Sequence, residues 1–122
     1  MRRDDVIEFY GPPRRRIAET LPDGRVDVDE HRVRGGRVRV TYRGEEAVAI
    51  STTSRFYRTL KGLGPGHAMR SRANEDWTCR PVGVPKGKAR LYLRPTRAKD
   101  PVVAELVVVA ARFVPPCAIA PK

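Results

Sequence analysis

RVDVDEHRVRGGRVRVTYRGEEAVAISTT, residues 25–53, decides the fold. Val26 and Val28 alternate with Arg25, Asp27 and Asp29; Val38, Val40 and Tyr42 alternate with Arg37, Arg39, Thr41 and Arg43; Val48 and Ile50 close the run. Alternation with a period of two sends one set of side chains to a buried face and the other to water, as in a half-buried strand. Gly35-Gly36 and Gly44-Glu45-Glu46 interrupt the alternation. Gly-Gly between two such runs is a hairpin signal, because the central residues of a tight primed turn need positive φ. The stretch therefore reads as a three-stranded antiparallel meander. Asp27, Asp29 and Glu30 face Arg37 and Arg39 across the hairpin as a ladder of opposite charges, and His31 reads as an exposed strand residue.

Upstream, residues 2–10 read as a short helix. Val6, Phe9 and Tyr10 share one side with Ile7 beside them, and Asp4 and Asp5 sit in the first turn, where carboxylates complement the helix dipole. Gly11-Pro12-Pro13 stops it. Residues 14–21 form a basic connector, and Pro22-Asp23-Gly24 is a turn.

Downstream, Phe56, Tyr57 and Leu60 read as core anchors. Residues 62–66, with three glycines and a proline, form a break, and residues 67–74 a short second helix. Trp77 reads as a core plug. Ala89, Leu91 and Leu93 alternate with Arg90, Tyr92 and Arg94 as another half-buried strand. Residues 102–114 are apolar on both parities, as in a central strand covered on both faces. The expectation is one α+β domain over residues 1–122: a mainly antiparallel sheet of five to seven strands with one or two short helices on one face. Halves 1–54 and 55–122 repeat the helix-then-strands order, a weak two-fold internal duplication.

Composition bounds the function. A chain of 122 residues suits one domain, and 40% hydrophobic residues suffice for a core. No apolar run reaches the length of a membrane-spanning helix, and no apolar segment follows Arg2-Arg3 as a signal peptide would require. The net charge is +11, with residues 61–122 holding 12 basic and 4 acidic side chains against 13 and 10 in residues 1–60. An anionic partner is thus expected at the second half, where Lys86, Lys88, Arg90, Arg94, Arg97 and Lys99 surround Tyr92. An arginine-rich strand with an interleaved aromatic suits phosphates and a stacked base, and it equally suits the wet side of a sheet.

Cys79 and Cys117 lack the spacing of a zinc ribbon or a redox pair. They are either one disulfide, contributing about 4 kcal/mol and implying an oxidising compartment, or two free thiols. His31 and His67 have no orienting third group that would make a nucleophile–base set, and four scattered His and Cys residues make no metal motif. The glycines of 62–66 lack the Lys-Ser/Thr ending of a phosphate loop. No catalytic residue, cofactor or metal is expected.

The opening MRRDDVIEFYGPP, residues 1–13, resembles the start of BamE-like (SmpA-like) and β-lactamase-inhibitor-protein-like domains, in which a short helix of this pattern leads into an antiparallel meander. TLKGLGPG, residues 59–66, resembles the entry to the same helix in secreted actinobacterial relatives. The resemblance implies a noncatalytic, secreted or cell-envelope binding module that engages a protein or an anionic envelope polymer. The chain departs from the pattern in lacking the glycine before the motif's methionine and a lipobox cysteine. The alternative is a small cytoplasmic nucleic-acid-binding protein using the surface from Lys86 to Lys99.

Overall fold

The computed structural model describes residues 2–58, 64–68, 80–81, 89–96 and 102–110. In chain order they form α1 (Arg3–Tyr10), β1 (Arg15–Leu21), β2 (Gly24–Val33), β3 (Gly36–Arg43), β4 (Glu46–Thr52), β5 (Arg80–Pro81), β6 (Ala89–Pro95) and β7 (Val103–Ala110). The strands make one antiparallel sheet in the order β1-β2-β3-β4-β7-β6-β5. The architecture is α+β and mostly sheet.

The meander has four strands where three were expected. The basic connector is β1, an edge strand paired with β2 from Arg15 opposite Glu30 to Leu21 opposite Gly24. The Gly-Gly pair is also split: Val33 pairs with Gly36, so the two-residue loop is Arg34-Gly35, and only Gly35 (φ +79°) of the two glycines takes the left-handed conformation.

Helix α1 begins with the Asp5 carboxylate accepting from the Arg2 N–H at 3.3 Å, half of a capping box. It ends at Gly11 (φ +83°), whose N–H donates to the Ile7 carbonyl at 2.7 Å. Its one buried side chain, Val6, packs on Val38, Val40 and Tyr42. That face of the sheet also carries Asp29 and His31, because Asp29 pairs with Val40 and His31 with Val38.

The opposite face holds a second core of Val26, Ala49, Tyr92, Val107 and Val109. Strands β2 and β4 lie two strand spacings apart, about 10 Å in a flat sheet, so Val26 joins Ala49 only where the sheet curls. Val48 is the extra residue of a bulge in β4, between the pairs Thr41–Ala49 and Tyr42–Ala47, and it bends that strand. Both faces of β2 are thereby buried, which overturns the exposed reading of His31: it is 1% exposed.

Strand β7 lies between β4 and β6 as a central strand, though Val108 is 43% exposed. Residues 69–74 of the expected second helix, 111–114 of the last expected strand, Leu60, Trp77, Cys79 and Cys117 lie outside the described residues.

Candidate binding surface

The end of the sheet at the β2–β3 turn gathers arginines. Arg14 precedes β1, Arg32 stands near the end of β2, Arg34 is in the turn itself, Arg37 starts down β3, and Arg55 follows β4. Their carboxylate counterparts lie mainly at the other end: Asp23 in the β1–β2 turn, Glu45 and Glu46 at the β3–β4 turn, and Asp4 and Asp5 at the start of α1. There they neutralise local cations, with Arg43 3.0 Å from Asp23 and Arg3 3.7 Å from Glu45. At the arginine-rich end Glu30 is the resident carboxylate. It accepts from Arg39 Nε at 3.0 Å and lies 3.8 Å from Arg37 Nε. The Arg39 hydrogen bond, helped by the fields of Arg39, Arg15 and Arg37, holds its carboxyl below the usual range against an opposing burial effect. Among the described residues no carboxylate pairs with Arg14, Arg32 or Arg34.

A depression of about 260 Å³ opens here, lined by Arg14, Glu30, His31, Arg32, Gly36, Arg37 and Thr53. Three polar atoms of its lining residues have no exposed surface and no hydrogen-bond partner among the described residues: both ring nitrogens of His31, on the helix side of the sheet, and Nε of Arg37, on the other side and 3.8 Å from Glu30. Leaving such groups unpaired costs roughly 1–3 kcal/mol each, so an arrangement that keeps them calls for an explanation.

Beside the depression sits an aromatic group. Tyr10 packs its ring on His31 (centroids 5.4 Å apart) and edge-on to Phe9 (4.8 Å), and it hydrogen-bonds Tyr57. Burial, with Tyr57 second, pushes the Tyr10 hydroxyl up to about 12. Phe56 carries the Arg34 guanidinium 4.6 Å and that of Arg55 5.2 Å from its centroid. Phe9, Phe56 and Tyr57 are 78%, 49% and 39% exposed, which corrects the reading of Phe56 and Tyr57 as core anchors.

A buried ionic frame fixes this end. The Asp29 carboxylate, with no exposed surface, accepts from Arg16 Nε at 2.6 Å and from its terminal nitrogen at 2.9 Å. Arg3 reaches from α1 to within 4.0 Å of Asp29 and 3.4 Å of Asp27, its guanidinium 4.5 Å above the Tyr42 ring. Thus the expected charge ladder is divided: Glu30 meets Arg37 and Arg39, whereas Asp27 and Asp29 meet Arg3 and Arg16 on the helix side.

Burial lowers the His31 pKa below 6.5, with Asp29 pulling weakly the other way. Tyr10 of α1 packs on the His31 ring, and Asp29 shares its face of β2. The unfolded chain then binds the His31 proton more tightly than the folded one, so its contribution to stability is present above about pH 6.5 and is lost as pH falls below it. Urea midpoints are expected to drop between pH 7.5 and 5.5 in the natural protein and to stay flat over that interval in His31→Leu. Equal slopes in the two proteins would refute the assignment to His31.

The sequence-derived basic surface is placed only in part. Tyr92 is 8% exposed within the second core, so its ring offers no stacking platform. Arg94 Nε donates to Glu105 at 3.1 Å, and Arg90 lies opposite Val109 in β6. Lys86, Lys88, Arg97 and Lys99 lie outside the described residues. No family model, curated protein or solved structure matches the chain.

Proposed function

We propose that the protein is a noncatalytic binding module that holds an anionic partner at the arginine-rich end of its sheet. One observation carries this reading: Arg14, Arg32 and Arg37 line one depression, and among the described residues no carboxylate pairs with Arg14, Arg32 or Arg34. Arginine beside exposed aromatic rings is the side-chain pairing enriched in protein-binding surfaces. One further feature supports an extracytoplasmic setting: the resemblance of residues 1–13 to BamE-like and β-lactamase-inhibitor-protein-like domains.

An internal duplication belongs to the same proposal. Arg2, just ahead of α1, bridges Glu46 at the head of β4, and Ala68 bridges Val102 just ahead of β7. The closing strands of the two halves, β4 and β7, then pair antiparallel, as a two-fold relation requires.

The test is a charge reversal of exposed residues. Arg32→Glu with Arg34→Glu is expected to weaken binding of poly-glutamate at least tenfold at low ionic strength, with the melting temperature unchanged. Added salt is expected to weaken the natural protein's binding toward that of the variant. Equal affinity of the two proteins at low salt would sink the proposal.

A further inference from the structure

We infer that β1 is an edge for self-association: two copies of the chain pair their β1 strands antiparallel about a two-fold axis at Ile17, joining two sheets into one. The anionic-partner reading can fail without touching this one.

The two edges of the sheet differ. At one, β5 has two residues, Arg80–Pro81, and proline cannot donate to a further ladder. At the other, β1 runs seven residues in unbroken register against β2 and contains no proline. Among the described residues β2 is its one partner. A strand of that length and regularity presents a row of unpaired N–H and C=O groups outward, a template for another strand.

Symmetry and charge select the occupant. A two-fold axis that continues a sheet stands perpendicular to it, so each β1 residue meets one on the same face of the second copy. Arg15, Ile17 and Glu19 share one face, opposite Glu30, Val28 and Val26 of β2. With the axis at Ile17, Arg15 meets Glu19 of the partner subunit, Glu19 meets Arg15 of the partner subunit, and Ile17 meets its own copy. An axis at Ala18 sets Glu19 against isoleucine, and one at Arg16 or Glu19 sets like charges face to face, which is destabilising. One register therefore matches.

The rows across the sheet agree with it. Arg39, Glu30 and Arg15 lie opposite one another on β3, β2 and β1, an alternation of sign that stops at the edge. A second copy's Glu19 continues it. Glu19 itself is exposed and has no cation partner among the described residues. In the neighbouring row Val28 is buried and Ile17 half-buried, and pairing would cover Ile17 with a second β-branched side chain. The net charge of +11 on each copy opposes association. Antiparallel pairing limits that cost by holding the two Arg15 residues four positions apart, about 14 Å along the strands, beyond the screening length of about 8 Å at physiological salt.

The experiment is sedimentation equilibrium of the full chain at physiological salt. The expected result is a monomer–dimer equilibrium with a Kd on the order of 100 µM, weak because one strand pair falls short of a standard interface. Ile17→Lys, Glu19→Arg and Arg15→Glu are each expected to weaken it at least tenfold by setting like charges across the axis. An equimolar mixture of Arg15→Glu with Glu19→Arg is expected to restore it, because each copy then offers the other the opposite sign. Arg15→Glu also faces Glu30, so its folding is checked by thermal melting. Should it fail to fold, amide exchange in the natural protein takes its place, with protection of β1 amides expected to rise with protein concentration.

A chain that stays monomeric at millimolar concentration would overturn the inference. So would a dimer indifferent to Ile17→Lys and Glu19→Arg, which another surface must hold. A mixture of folded variants that does not recover would overturn the axis at Ile17. Protection of β1 amides that appears only on adding poly-glutamate would assign the edge to an acidic strand of another protein in place of a second copy.

Discussion

Arg16→Met is expected to cost the fold about 3 kcal/mol, at the lower end of what breaking a buried ion pair from one side costs. The reason is asymmetry. Arg16 is half-exposed, its side chain retaining 46% of its surface, while the Asp29 carboxylate it grips retains none. Removing the guanidinium returns little to solvent and leaves a charge buried between α1 and the sheet. Arg3, 4.0 Å away and shared with Asp27 and Glu45, compensates only in part, which sets the value near the bottom of the range.

For a domain of this length the loss corresponds to a fall of roughly 10 °C in Tm. The double variant Arg16→Met/Asp29→Leu removes both charges and is expected to recover most of it, since a well-packed apolar pair often replaces a buried ion pair at no cost. Thermal unfolding of the three proteins decides the matter. A single variant within 1 kcal/mol of the natural protein, or a double variant no better than the single, would show that Asp29 does not depend on Arg16.

The same residues show where sequence reading succeeds and where it stops. Strands β2, β3, β4 and β6 are legible because alternation writes a strand into the chain, but only β3 keeps to it in burial, with Val38, Val40 and Tyr42 buried between half-buried or exposed neighbours. Strand β1 is not legible. It is an edge strand whose only half-buried side chains are Ile17 and Leu21, with the polar, exposed Glu19 at the position between them, so no two-residue alternation is written into it. His31 and Asp29 were unreadable for a different reason. Alternation predicts one dry face and one wet face, but α1 covers one face of β2 and the curled sheet covers the other.

The candidate surface was hidden more deeply. Arg14, Arg32, Arg37 and Arg55 sit on separate segments, and a net charge of +3 over residues 1–60 averages them with carboxylates at the opposite end of the same sheet. Net charge by half-chain therefore pointed to residues 86–99. The one local signal available was the Arg34-Gly35-Gly36 turn itself, an arginine on a tight hairpin with more glycine than a two-residue loop needs.

That surplus glycine is the basis of the last prediction. Gly36→Ala is expected to destabilise the protein by about 2–3 kcal/mol, more than Gly35→Ala, although only Gly35 has a positive φ. A methyl group on Gly36 would sit 2.7 Å from Thr53 Oγ1, 2.8 Å from Ser54 N and 2.9 Å from Ser54 Cα. None of these can yield cheaply. Thr53 Oγ1 accepts from the Arg37 N–H at 3.1 Å, and the Thr53 N–H donates to the Arg37 carbonyl at 3.1 Å. Ser54 is fully buried, its N–H donating to Thr52 Oγ1 at 3.0 Å and its hydroxyl to the Arg34 carbonyl at 2.6 Å. Overpacking against pinned backbone costs up to about 3 kcal/mol.

At Gly35 the methyl would meet the Phe56 ring at 2.6 Å, but that ring is half-exposed and can swing aside. What remains is the left-handed strain of roughly 1–2 kcal/mol. Urea unfolding of both variants tests the order. If Gly35→Ala proves the more damaging, the hairpin is limited by its turn conformation and not by the approach of residues 53–54.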